Sequence, residues 1–112
     1  MVIQNESKKV SGIKIGLDFF TRESTKKIRE LPGGNDFVIL YLRLLTIAVK
    51  GNGYVYYDGI GSTPVEELAA ILHEDKKKVD YTIEWLRRAN LVEERENGDY
   101  FFPEALEMVY TY

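Results

Sequence analysis

STPVEELAAILHEDKKKVDYTIEWLRRANLVEERENGDYFF, residues Ser62 to Phe102, is the stretch on which the fold turns. Ser62 or Thr63 can cap a helix whose first position is Pro64, and Glu66 and Glu67 put negative charge at the positive end of its dipole. Val65, Leu68, Ala69 and Leu72 recur at helical spacing and make its inner face. His73-Glu74-Asp75 is a turn, Asp75 can cap a second helix from Lys76 to Ala89, and Asn90 suits a left-handed exit. Leu91 to Arg95 and Tyr100 to Phe102 read as short strands around Glu96-Asn97-Gly98, whose Asn-Gly pair is a strong hairpin signal. Helix, turn, helix and hairpin in that order make a winged helix-turn-helix, with the two helices in 63–89 and the wing in 91–102.

Outward from that stretch, residues 1–12 are polar and aperiodic and read as a flexible arm ahead of one domain spanning 13–112. Ile13 to Leu17 alternates as a short strand, and Asp18 to Leu31 reads as a helix. Thr21, Glu23 and Ser24 offer its cap chemistry, Phe20, Ile28 and Leu31 its buried contacts, and Lys26, Lys27 and Arg29 its outer side. Pro32-Gly33-Gly34 stops it, and Asn35 or Asp36 caps the next helix, Phe37 to about Lys50. That helix is apolar around most of its circumference, so it is either the central helix or part of a dimer seam. Gly51-Asn52-Gly53 ends it, Tyr54 to Tyr57 reads as a strand, and Pro103 to Tyr112 as a short final helix. The fold class expected is therefore α+β and mainly helical, with four to five helices and a small β-hairpin wing.

The 112 residues are 45% apolar and 29% charged, the composition of one ordinary globular domain. The absence of cysteine excludes disulfides, thiolate metal sites and a cysteine nucleophile, and fits a reducing cytoplasm. The start lacks a secretory layout, and the apolar run Phe37 to Val49 is interrupted by Arg43 and too short to cross a bilayer. The expected location is cytoplasmic, with no membrane partner. His73 is the only histidine, the glycines match neither a P-loop nor a dinucleotide fingerprint, and no Ser-His-Asp arrangement is available. Neither an enzyme nor a cofactor or metal site is expected.

Net charge is −3, unlike a generic nucleic-acid binder, and it is unevenly spread. Residues 1–50 hold nine Lys/Arg against five Asp/Glu, whereas 51–112 hold six against thirteen. Contact with DNA must therefore come from local clusters. At 100° per residue, Val79, Ile83, Leu86 and Asn90 share one side of the second helix, while Lys77, Tyr81, Glu84 and Arg88 lie almost opposite. A recognition helix puts its N-terminal half into the major groove, which singles out Lys76, Lys77, Lys78 and Tyr81, with Thr82 at the margin and Arg88 further along the stripe. From the wing, only Arg95 and Asn97 are candidates, because Glu93, Glu94, Glu96 and Asp99 surround them. Against this, consecutive lysines on a helix are commonly a solvated face, and Asp80 and Glu84 repel phosphate. Lys26, Lys27 and Arg29, with Lys8, Lys9 and Lys14, form a supplementary basic surface. Tyr54, Tyr56 and Tyr57 could stack single-stranded bases, but a packed strand is the better account. Trp85 reads as a core or seam residue.

Three segments carry a resemblance: IKIGLDFF from Ile13, PGGNDFVILYLRLLTIAVKGNGYVYY from Pro32, and EELAAIL followed by TIEWLRRANLVE in the helix-turn-helix. With them, Gly12 to Glu96 resembles the N-terminal domain of phage replisome organisers. The central segment is distinctive, whereas the helix-turn-helix part is generic. The resemblance implies a winged-helix domain that binds repeats in the duplex DNA of a phage or prophage replication origin and helps recruit a helicase loader or other replication proteins. It also implies DNA contact from the helix holding Lys76, Lys77, Lys78 and Tyr81. Asn90 stands where the family usually has Gly, and the family usually continues into a C-terminal domain, so the chain is either an N-terminal part or a short relative. A transcriptional regulator, a homodimer and a protein-interaction module docking through the wing and Val109 to Tyr112 remain alternatives.

Overall fold

The structure, a computed structural model, describes residues 10–111. Its four α-helices are α1 (Glu23–Arg29), α2 (Gly34–Lys50), α3 (Pro64–Leu72) and α4 (Lys76–Arg88). Five short strands, β1 (Val10–Ile13), β2 (Tyr54–Val55), β3 (Glu93–Glu94), β4 (Tyr100–Phe101) and β5 (Val109–Thr111), pair antiparallel as β1-β5 and as β2-β4-β3. The mainly helical α+β class is as expected, and the order α3-α4-β3-β4 is that of a helix-turn-helix followed by a wing.

α2 is the spine. Leu40, Tyr41, Leu44, Leu45, Ala48 and Val49 are all at most 1% exposed, and the helix packs against α1, β1, β2 and the 3-10 segment Pro103–Met108. A fully buried Leu or Val side chain is worth about 1.5–3 kcal/mol, so this helix contributes the largest single share of the core. Its start is fixed by a close approach: a Cβ on Gly34 would meet the Arg29 carbonyl oxygen at 2.1 Å. Gly33, left-handed at φ 73°, is the N-cap, so the helix begins before Asn35 and Asp36, the caps expected from sequence. Pressing α1 directly onto α2 leaves no room for a longer entry.

Other boundaries also shift. The expected helix from Asp18 splits into a 3-10 turn, Phe19–Thr21, and α1, with Arg22 extended between them. The buried Thr25 hydroxyl donates to the Phe19 carbonyl at 2.6 Å, which satisfies the break, and Phe19 enters the core while Phe20 stays 45% exposed. The first strand lies at Val10–Ile13 because its partner is β5, and Leu17 is fully exposed. Val10 and Gly12, read as part of the arm, thus pair with β5 across an irregularity at Ser11, while residues 1–9 and 112 lie outside the described residues. The final segment is a 3-10 helix rather than an α-helix: Ala105 and Met108 are buried at a three-residue spacing, the period of that helix. Glu104 in it accepts from the Tyr41 hydroxyl at 2.5 Å and pairs with Arg22 at 3.5 Å, tying this segment to α2 and α1. Burial and Glu104 together push the Tyr41 phenol well above its ordinary range.

The caps of the helix-turn-helix fall where the sequence puts them. The Thr63 hydroxyl accepts from the Glu66 N–H at 3.1 Å and the Asp75 carboxylate from the Lys78 N–H at 3.2 Å. His73 and Asn90 are left-handed at φ 55° and 62°. The wing closes through a three-residue loop: the Gly98 N–H donates to the Arg95 carbonyl and Gly98 takes φ 94°, whereas Asn97 keeps a negative φ. This is a turn with a glycine bulge rather than the two-residue Asn-Gly turn.

Candidate nucleic-acid interface

α4 turns Val79, Ile83 and Leu86 to the core and leaves Lys76, Lys77, Tyr81, Arg87 and Arg88 exposed. Among the described residues, Lys76 and Lys77 take part in no ion pair. Lys78 does: its Nζ lies 3.5 Å from Glu74, and Glu74 is also held by Arg43 at 2.9 Å. Arg43 reaches from α2 and also donates to the Leu72 carbonyl at the end of α3. The turn is therefore clamped to the spine, which fixes the direction in which α4 presents its first lysines. Tyr81 is 49% exposed and leans on Phe37 at the start of α2, with ring centroids 5.5 Å apart. One edge is packed and the other is open.

The rest of the candidate set fares less well. Thr82 is 4% exposed, and its hydroxyl donates to the Lys78 carbonyl at 2.7 Å, so it points along the helix into the core and is removed from the set. Arg88 is exposed, but its Nε donates to Glu84 at 3.1 Å, and Arg87 grips the same carboxylate at 2.6 Å. Hydrogen bonds from Arg87 first, and from Arg88, hold the Glu84 carboxyl below its usual range. Glu84 thus occupies two arginines rather than merely standing on the helix. In the wing, Arg95 pairs with Glu93 at 2.7 Å and lies over the rings of Tyr54 and Phe101, at 5.7 and 5.1 Å. Its guanidinium is held charged by the Tyr54 hydroxyl and then by Glu93. The Asn97 side chain accepts from the Asp99 N–H at 3.0 Å, closing the loop on itself. The structure therefore brings together Lys76, Lys77, Lys78 and Tyr81, and turns Arg95 and Asn97 toward the wing's own atoms.

Residues 12–110 match the family of the N-terminal phage replisome organiser domain, nearly the whole chain. The chain belongs to that family. No curated protein and no solved structure matches it. Membership ties this replisome organiser domain to phage replication, and no helix among its described residues is long and apolar enough to cross a membrane.

Two residues that position the replisome organiser's helix-turn-helix were not singled out from sequence. Arg43 read only as an interruption of an apolar run, although a lone Arg on a buried helix signals a partner. Glu67 read as a dipole complement in the first turn of α3, but it is buried and accepts from the N–H groups of Asp58 and Ile60, each at 2.7 Å, and of Gly61 at 3.1 Å. Those bonds, led by that from Asp58, hold its carboxyl below the usual range and anchor the loop between β2 and α3. Of the supplementary basic residues, Lys14, Lys26, Lys27 and Arg29 are exposed, Arg29 donates to the Phe20 carbonyl, and Lys8 and Lys9 lie outside the described residues.

Proposed function

We propose that this domain binds duplex DNA at a phage replication origin through the first two turns of α4, and that bound there it helps recruit replication proteins. It acts by binding and carries out no catalysis. What supports the reading, beside the family, is a single arrangement: Lys76 and Lys77, exposed and outside any described ion pair, stand beside Tyr81 on the outward face of the second helix of a clamped helix-turn-helix. The two ammonium groups suit phosphate oxygens or guanine edges, and the half-packed tyrosine suits the groove wall. Lys78 joins by exchanging Glu74 for phosphate, whereas Arg88 must leave Glu84 and Arg95 must leave Glu93. Two or three phosphate contacts give a salt slope of about −2 to −3. The test is anisotropy with duplex fragments of the source's own replication region against random duplexes. Tighter binding of one fragment with that shallow slope is expected; equal binding of all duplexes, or binding indifferent to salt, would overturn the reading.

A further inference from the structure

The outer face of the wing sheet carries Tyr54 and Tyr56 on β2 and its extension, with Phe101 paired across from Tyr54 on β4. The opposite face, with Val55 and Tyr100, is buried in the core. The two tyrosine rings stack at 5.6 Å with planes 16° apart, and Tyr56 is 55% exposed. This outer face already holds one guanidinium. Arg95 lies over Tyr54 and Phe101 with its charge met by Glu93 at 2.7 Å. Continuous with it is an open cleft of about 490 Å³, lined by Tyr54, Tyr56, Arg95, Glu96, Asn97 and Asp99, in which the Arg95 charge is already met by Glu93. Like the seat of Arg95, which has the partly buried Tyr54 and Phe101 rings and the Glu93 carboxylate, it sets an aromatic face, here the exposed Tyr56, next to acidic groups. Asp99 spends one oxygen on the Tyr57 N–H, and Glu96 takes part in no ion pair among the described residues.

We propose that this cleft is a docking site for a basic peptide segment of a protein partner, which lays an arginine or lysine side chain on Tyr56 against Glu96. The ring face attracts a cation through its quadrupole, and the neighbouring carboxylates add to that attraction. The same charges decide against the other ligand that stacks on aromatic faces: single-stranded DNA would bring its phosphates against Glu96 and Asp99, while the Arg95 charge is already met by Glu93. The cleft shares no lining residue with Lys76, Lys77 or Tyr81, so docking is separable from the duplex contact proposed above.

The test uses the intact domain with three fluorescein-labelled probes, (Arg-Gly)4, (Glu-Gly)4 and an oligo-dT strand, read by anisotropy and by amide NMR shifts. The arginine peptide is expected to bind with shifts confined to the wing, and the glutamate peptide not to bind. Tyr56→Ala should weaken it about three- to tenfold, Tyr56→Phe should retain it, and Glu96→Lys should weaken it at least as much as Tyr56→Ala. Lys76→Ala with Lys77→Ala should leave it unchanged. Arginine-peptide binding that is absent, or indifferent to both Tyr56→Ala and Glu96→Lys, overturns the proposal. So does oligo-dT binding that depends on Tyr56.

Discussion

Replacing Glu84 by alanine releases two guanidinium groups on the helix proposed to meet DNA. In the folded domain Glu84 Oε2 holds Arg87 at 2.6 Å and Arg88 at 3.1 Å, while all three side chains remain at least 41% exposed. Such exposed pairs are worth little to folding, so the variant should unfold where the parent does. Binding is another matter, because a freed arginine can neutralise a phosphate, and each neutralised phosphate steepens the dependence of log K on log salt by about 0.9. At about 0.1 M salt that is about eightfold in affinity for one arginine and about 60-fold for two. Loss of the carboxylate, which repels the backbone, acts in the same direction. Anisotropy of a labelled duplex over a KCl series should therefore show Glu84→Ala binding more tightly and with a slope steeper by about 0.9–1.8. Weaker binding at unchanged melting temperature would refute the reasoning, because it would mean that Glu84 itself supports the complex.

Further expectations concern the contacts that hold the helix-turn-helix in place. Arg43→Met removes the 2.9 Å pair with Glu74 and the bond to the Leu72 carbonyl. At this partial exposure the cost is about 1 kcal/mol, a fall of about 4 °C in melting temperature, and DNA affinity should fall with it because the turn loses its clamp. Glu67 has a carboxyl pKa lowered from 4.5 by the backbone bonds it accepts. Its stabilisation is complete above that unfolded value and is lost as pH falls through the lower folded one. The gap between wild type and Glu67→Gln, followed by urea unfolding, should be constant near neutrality and narrow as pH drops below 4.5. At Asn90, left-handed at φ 62°, glycine should raise stability by a few tenths of a kcal/mol and valine lower it by about 1–2 kcal/mol.

The helix-turn-helix was the most legible part of the chain because its punctuation is local. Thr63 with Pro64, Asp75 and Asn90 each mark a boundary through chemistry within three residues of it. What stayed hidden depends on partners distant in sequence. β1 lies at Val10–Ile13 because β5 lies at Val109–Thr111, and nothing near residue 10 announces that. The break before α1 depends on Thr25 reaching back to Phe19. Among the candidate site residues, helical angles placed Lys77, Tyr81 and Arg88 correctly on the outer face. They could not say that Glu84 would take Arg88, that Glu93 would take Arg95, or that Thr82 at the edge of the stripe would turn its hydroxyl to Lys78. A helical wheel gives direction but not pairing, and charge counts give sign but not availability. For the same reason, the strand whose tyrosines read as packed proved to bury Val55 on one side of the sheet and to leave Tyr56 open on the other.

The central claim, that the first two turns of α4 carry the duplex contact, is tested most directly by combining Lys76→Ala, Lys77→Ala and Lys78→Ala. The salt slope of variant and parent should be measured on the same origin duplex. The expected result is a parent slope of about −2 to −3 that collapses toward zero in the variant, with affinity at about 0.1 M salt falling about 60- to 500-fold. A variant that keeps the parent's slope and affinity would contradict the account and move the contact elsewhere on the domain.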